Sequence, residues 1–257
     1  MSGLDKEQLD ELENIVVDLL EEPWSKGTGR PRELSLRESL VVTCGYIRHN
    51  IVEDVWADIF DVDQSTISRY IKFMTPLVEK ATEADRPSAE NAAEAARGEI
   101  ALVDGALWPC WSWDGESELW AGKYKTTGHG SLIVSDFEGT ITFVSEPVTG
   151  NLHDMAKLQR SDVEVILKQA GGVFGDKGFI GTDYITTPVR KPTTRELYVR
   201  EHQYNNEVSS YRAPIERAVA HLKNWRILFT DYRRPLDTFL SSFHAAIGLY
   251  FFKRSFA

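Results

Sequence analysis

The sequence predicts an all-α unit followed by an α/β unit. Three observations predict it. Apolar residues recur at helical spacing through residues 5–78. From about residue 99 that period gives way to short apolar runs and strict alternation. Between the two lies EKATEADRPSAENAAEAARG, residues 79–98, which holds no large apolar side chain. The expected organisation is therefore an all-α domain over 1–80, a linker or solvated helix over 81–98 and an α/β domain over 99–257.

The elements follow in order. Residues 5–22 form an amphipathic helix, with Leu9, Leu12, Val16, Leu19 and Leu20 near one face and Pro23 after the end. SKGTGRPRE, residues 25–33, is a loop. Ser35 followed by Glu38 is a capping-box pattern, so a helix runs from there to about His49. IVEDVWADIFD and QSTISRYIKFMTPLVEKA are two helices separated only by residues 62–63. A short helix, a tight turn and a longer helix make a helix-turn-helix plan. Its exposed face would carry Gln64, Ser65, Ser68, Arg69 and Lys72, side-chain types that contact base edges and phosphates.

In the second unit, EIALVDG (99–105) reads as a strand ending in Asp-Gly, and SLIVSDFEGTITFVS (131–145) as a β-hairpin. HDMAKLQRSDVEVILKQA is helical, and GGVFGD (171–176) is a short buried strand ending in an aspartate. Two more helices cover SSYRAPIERAVAHLKNWRIL and PLDTFLSSFHAAIGLYFFKRSF. The apolar run between Asp237 and Lys253 has 15 residues, short of the roughly 20 a bilayer needs, so no membrane partner is expected.

Composition narrows the function classes. The chain is 42% hydrophobic and 26% charged, an ordinary globular balance. Cys44 and Cys110 make no disulfide framework and no metal pair, and the N-terminus MSGLDKEQLDELE is acidic with no apolar signal segment. A cytoplasmic setting is expected. The net charge is −10, but it is unevenly spread. Residues 1–150 carry 13 Lys/Arg against 28 Asp/Glu, and residues 151–257 carry 16 against 11. The second half is the one that attracts a polyanion.

Asp104 and Asp176 both terminate expected strands, where functional side chains converge in α/β sheets. Glu216 lies on a helix whose other side, Ile215, Val219 and Leu222, is apolar, so that helix can aim it at the two aspartates. Three converging carboxylates need a cation, and two Mg²⁺ or Mn²⁺ ions would polarise a phosphodiester. Each residue alone has a plainer role: a turn at Asp104, a cap at Asp176, an ion pair of Glu216 with Arg212 or Arg217. Asp154, with His153 before it, admits two roles. It caps the helix it starts, the simpler role, or it orients a water or contacts DNA. Trp108, Trp111, Trp113 and Trp120 read as core or dimer contacts before base-stacking platforms.

The segments VDGALWPCW, LWAGKYKTTGHG, PVTGNLHDM, VFGDKGFIGT and YNNEVSSYRAPIERAVAHLKNWRIL closely resemble the DDE-superfamily endonuclease domain of bacterial insertion-sequence transposases, the Harbinger-related group. Residues 34–78 resemble that family's helix-turn-helix. The resemblance implies an RNase H-like mixed sheet flanked by helices, with Asp104, Asp176 and Glu216 as the catalytic, metal-binding triad. Arg212, Glu216 and Lys223 satisfy the family's R-x3-E-x6-K spacing, which implies DNA contact by Arg212 and Lys223. The family's tyrosine position is Ser209 here, while Tyr211 adjoins the arginine. The implied function is a DNA transposase that binds terminal inverted repeats and catalyses metal-dependent strand cleavage and transfer. Its partners would be double-stranded end and target DNA, with a homodimer or higher oligomer at synapsis, in the nucleoid-associated cytoplasm. The alternatives are a catalytically inactive, transposase-derived DNA-binding regulator and a nuclease without strand transfer. Lys191, Arg195, Arg200 and the run TDYRRP track the DNA backbone or form a solvated face.

Overall fold

A computed structural model describes residues 1–25, 31–111 and 115–256. The helices are α1 (Lys6–Leu19), α2 (Leu36–His49), α3 (Glu53–Phe60), α4 (Gln64–Ala81), α5 (Ala89–Ala96), α6 (Asp154–Gln159), α7 (Val163–Gln169), α8 (Val199–Leu222) and α9 (Phe239–Arg254). The strands are β1 (Ile100–Pro109), β2 (Trp120–Ala121), β3 (Thr126–Asp136), β4 (Ile141–Val144), β5 (Val148–Thr149) and β6 (Gly172–Phe174). No helix among the described residues is long and apolar enough to cross a membrane.

The chain divides into two units, residues 1–86 with 224–257 and residues 87–223. The first is all helix. Ser35 and Glu38 form the expected reciprocal capping box at α2. Leu40, Ile47, Ile67, Ile71, Met74 and Val78 are fully buried along α2 and α4. Trp56 of α3 is buried too, and its ring fills the space that a β-carbon on Gly45 of α2 would need. Gly45→Ala should therefore cost about 1–2 kcal/mol despite alanine's better helix propensity, read as a lower urea midpoint.

Two expected boundaries shift. The last 34 residues, expected within a domain over 99–257, pack with the N-terminal helices instead. Helix α9 is apolar almost all round, burying Phe239, Phe243, Ile247, Leu249 and Phe252, so it needs cover on several sides. Helices α2 and α4 supply it, and Glu79 of α4 accepts hydrogen bonds from Ser241 Oγ (2.6 Å) and His244 Nδ1 (2.8 Å). The stretch expected as a linker or solvated helix over 81–98 contains α5, whose Ala92 and Ala93 join the core of the second unit with Ile166 and Leu167 of α7. Small methyl side chains bury well where backbones approach closely, so the lack of large residues did not mean exposure.

The second unit is a mixed sheet flanked by helices, in the order β2-β3-β1-β6, with β4 and β5 also on β3. This is the α/β class the sequence predicts. The hairpin is present, with a register shift at Val134/Ser135 that bends the sheet. Strand β1 pairs antiparallel with β3 from Ala101↔Asp136 to Pro109↔Gly128, but parallel with β6 only over Ile100–Leu102. Asp104 therefore does not end its strand, as the Asp-Gly pair suggested. It lies in mid-strand, just past the point where β6 stops covering one edge. Ala101 and Val103 face the core under α5 and α7. By strand alternation Leu102 and Asp104 face the other way, toward α8.

Candidate active site

The uncovered edge beside β6 gathers three aspartates. Asp104 accepts from the Gly105 amide (3.0 Å), and a guanidinium nitrogen of Arg212 on α8 stands 3.5 Å from the same oxygen. Burial pushes its carboxyl up to about 6. Asp176 adds repulsion in the same direction, and Arg212 only partly offsets both. Asp176 follows β6 by two residues and caps the 3₁₀ turn Lys177–Phe179, where its Oδ1 accepts from the Gly178 amide at 2.6 Å.

Asp154 is the first residue of α6 and is buried, yet its side chain makes no cap. The capping role preferred from sequence is overturned by two lysines. Lys157 Nζ lies 3.0 Å from Oδ1, and Lys123 Nζ lies 3.4 Å from Oδ2. Burial raises the Asp154 carboxyl, but the two ammonium groups outweigh it and hold the group below its ordinary value. Lys123 also reaches Asp176, at 3.5 Å, and so bridges two carboxylates. Burial disfavours the Lys123 ammonium, while Asp154, Tyr124 and Asp176 together raise its pKa above the usual lysine value. Glycine is required on both sides of Asp154. A β-carbon at Gly105 would collide with its carboxylate, and one at Gly178 would sit 2.5 Å from Asp154 Oδ2 and 2.7 Å from Asp176 Oδ1.

Glu216 is set differently. Its side chain is 61% exposed, and its link to the site runs through Arg212, whose second nitrogen is 3.8 Å away. Among the described residues, no three carboxylate, imidazole or thiol groups converge closely enough to hold a metal. Unscreened carboxylates repel, and here three cations, Lys123, Lys157 and Arg212, stand against them. Asp104 and Asp176 offer only oxygen, the donor a hard divalent ion takes, and the glycines leave room for the carboxylates beside them. Arg212 is only 10% exposed, and its Nε is buried without a hydrogen-bond partner among the described residues. Lys223 is half-buried at the C-terminus of α8, where a cation suits the helix dipole.

Lys123 and Lys157 were not singled out from sequence. Lys157 was legible as an i+3 partner of Asp154, whereas Lys123 sits in LWAGKYKTTGHG with no local signature. Trp108 is core, donating to Ser131 Oγ at 2.9 Å, whereas Trp111 and Trp120 are half-exposed. Trp113 lies outside the described residues.

In the first unit, α3 ends on Asp61 in the left-handed region (φ 52°), and α4 begins three residues later. Gln64, Ser65, Arg69 and Lys72 are exposed on α4, and Ser68 is half-buried. Gln64 donates to Glu53, and Arg69 donates to Ser65 O (3.2 Å) and Thr66 Oγ1 (2.8 Å). In the TDYRRP run both arginines are half-buried and partnered within the chain. Arg233 donates to Asn50 O (2.6 Å), and Arg234 pairs with Glu53 (2.8 Å). Lys191 pairs with Glu196, and Arg195 with Glu201.

Residues 103–250 match the family described as DDE superfamily endonuclease, and residues 32–83 match the helix-turn-helix of DDE superfamily endonuclease. The chain is 23% identical over 221 residues to the putative transposase for insertion sequence element IS112 of Streptomyces albus G, covering 86% of this chain and 80% of that one. It is 30% identical over 107 residues to the probable transposase for insertion sequence element IS702 of Microchaete diplosiphon, 39% of this chain and 37% of that one.

Proposed function

This chain belongs to the DDE superfamily endonuclease family, and from that premise we propose that it is a DNA transposase that binds the terminal inverted repeats of an insertion sequence and cuts and joins DNA strands at Asp104, Asp176 and Glu216. The observation that carries the reading is the meeting of Asp104 and Asp176. They are 72 positions apart in the chain, yet they meet at one uncovered sheet edge, close enough for the charge of one to disturb the other. Two similar chains named as transposases support it.

Asp104 and Asp176 would hold Mg²⁺ or Mn²⁺, with Glu216 turning in from its exposed position. Once bound, such ions polarise a phosphodiester and activate the attacking oxygen. The protein's own groups do the rest. Arg212 keeps Asp104 and Glu216 within its reach, and its unpartnered Nε–H would have to turn outward to meet a phosphate oxygen. The Gly105 and Gly178 amides hold the two aspartates in fixed rotamers. Water attacks phosphorus, the P–O3′ bond breaks, and the departing oxygen takes a proton. The freed 3′-OH would then lose its proton and attack a target phosphodiester at the same carboxylates, forming a new P–O3′ bond as the target's own P–O3′ bond breaks and its O3′ leaves as a hydroxyl. Two ends are brought together by at least a dimer.

The deciding experiment is Mg²⁺-dependent nicking of DNA that carries the cognate end. Cleavage at the end, lost in Asp176→Ala and in Glu216→Ala, is the expected result. Cleavage retained by either variant rejects the assignment. A second reading, a catalytically inactive DNA-binding regulator, is favoured by one observation: Glu216 faces solvent, with Arg212 between it and Asp104. End binding by the intact chain with no nicking in Mg²⁺ or Mn²⁺ would select it.

End recognition is assigned to the exposed face of α4. Arg69→Ala and Lys72→Ala should each weaken binding to end DNA, and each should lower the slope of log affinity against log salt by about one if it contacts a phosphate. Fluorescence anisotropy at several salt concentrations measures both.

A further inference from the structure

The three aspartates at the sheet edge stand against three cations, Lys123, Lys157 and Arg212. Each aspartate therefore has a cation against it before any divalent ion arrives, with Glu216 as a fourth, exposed carboxylate 3.8 Å from Arg212. An added ion upsets that pairing unless one resident cation withdraws. Exposure decides which one can. The Lys157 side chain is 5% exposed and Arg212 10%, so moving either would strand a buried charge. The Lys123 side chain is 57% exposed, and its ammonium stands 3.4 Å and 3.5 Å from its two carboxylates, longer than the 3.0 Å bond of Lys157. It is held by attraction and not by enclosure.

We propose that Lys123 is the removable counterion of this site: its ammonium neutralises Asp176 and Asp154 in the metal-free protein and yields Asp176 to a divalent ion. Asp154, fixed by buried Lys157, is then the holder of Lys123 and not a metal ligand. The proposal rests on the reading of Asp104 and Asp176 as metal ligands. It explains why Asp154 is buried between two lysines and why glycines flank it. Lys123 is a positioning residue, acting through the carboxylates it releases.

The test is Mn²⁺ binding to the full chain without DNA, read from the electron paramagnetic resonance signal of free Mn²⁺. Removing a competing charge at this distance should strengthen binding, so Lys123→Met should bind Mn²⁺ about tenfold more tightly than the unaltered chain. Lys123→Arg, which keeps the charge, should stay near it. A merely structural role would weaken binding or leave it alone. Thermal melting adds a second measurement: in chelator Lys123→Met should melt lower, and Mn²⁺ should raise its midpoint more than it raises the unaltered chain's. Unchanged or weaker Mn²⁺ binding by Lys123→Met overturns the proposal. If Asp176→Ala still abolishes binding in that case, the metal site stands and only the exchange falls. If neither the unaltered chain nor Lys123→Met binds Mn²⁺, both fall.

Discussion

Asp104→Asn should abolish strand cleavage and, in the same protein, raise resistance to unfolding at pH 7 in the presence of a chelator. The two effects have one cause. Burial and the neighbouring Asp176 hold the Asp104 carboxyl at about 6, against 3.8 for the free group. A group whose pKa is raised binds its proton more readily in the folded chain than in the unfolded one. Its contribution to stability is greatest below about pH 4 and is lost as pH rises to about 6. By pH 7 the ionised carboxylate costs about 3 kcal/mol. Asparagine removes that cost but leaves Arg212 one partner short, so a net gain of about 1–2 kcal/mol is expected. Urea midpoints across pH 4–7 check it: the variant's advantage should open between pH 4 and 6 and then level off. Cleavage should fall on the order of 10³-fold, because asparagine offers one neutral oxygen where an anionic ligand is needed. A variant that is inactive and also less stable at pH 7 would contradict the account.

Asp154→Ala should have the opposite profile, a large loss of stability. Its partner Lys157 has 5% of its side chain exposed and would keep a charge with no carboxylate beside it. Breaking such a buried pair from one side costs about 3–5 kcal/mol, a large part of what holds a domain together. Chemical denaturation should show the loss. The paired variant Asp154→Asn with Lys157→Met, which removes both charges, should recover most of it. If the single and paired variants are equally unstable, packing and not charge holds α6 in place.

What could be read from the sequence was whatever short-range chemistry decides. The start of α2 followed from Ser35 and Glu38 alone. The buried face of α4 followed from spacing. Long-range pairing overrode local signals elsewhere. Asp104-Gly105 carries a turn signature, yet nine consecutive pairings with β3 keep it extended. Alanines 92 and 93 look solvated until α7 packs on them. An all-round apolar helix such as α9 announces that it will be buried without saying against what. At the site, the strand-end rule suits Asp176, which follows β6, but Asp104 was singled out for a strand end that it does not occupy. Lys123 could not be named, because lysine carries no spacing rule, and only the folded chain brings it between two carboxylates. Asp154 was misread because position at a helix start suggests capping, whereas two lysines had a stronger claim on it.

The enclosure of α9 by α2 and α4 has a consequence for biosynthesis. Helices α1 to α4 are made first, but their apolar surface stays unsatisfied until residues 239–254 leave the ribosome. Residues 87–223 have by then been translated as a continuous stretch. Translation that stops short of α9 would thus leave the helices of the first unit without their cover, a natural substrate for chaperones and proteases.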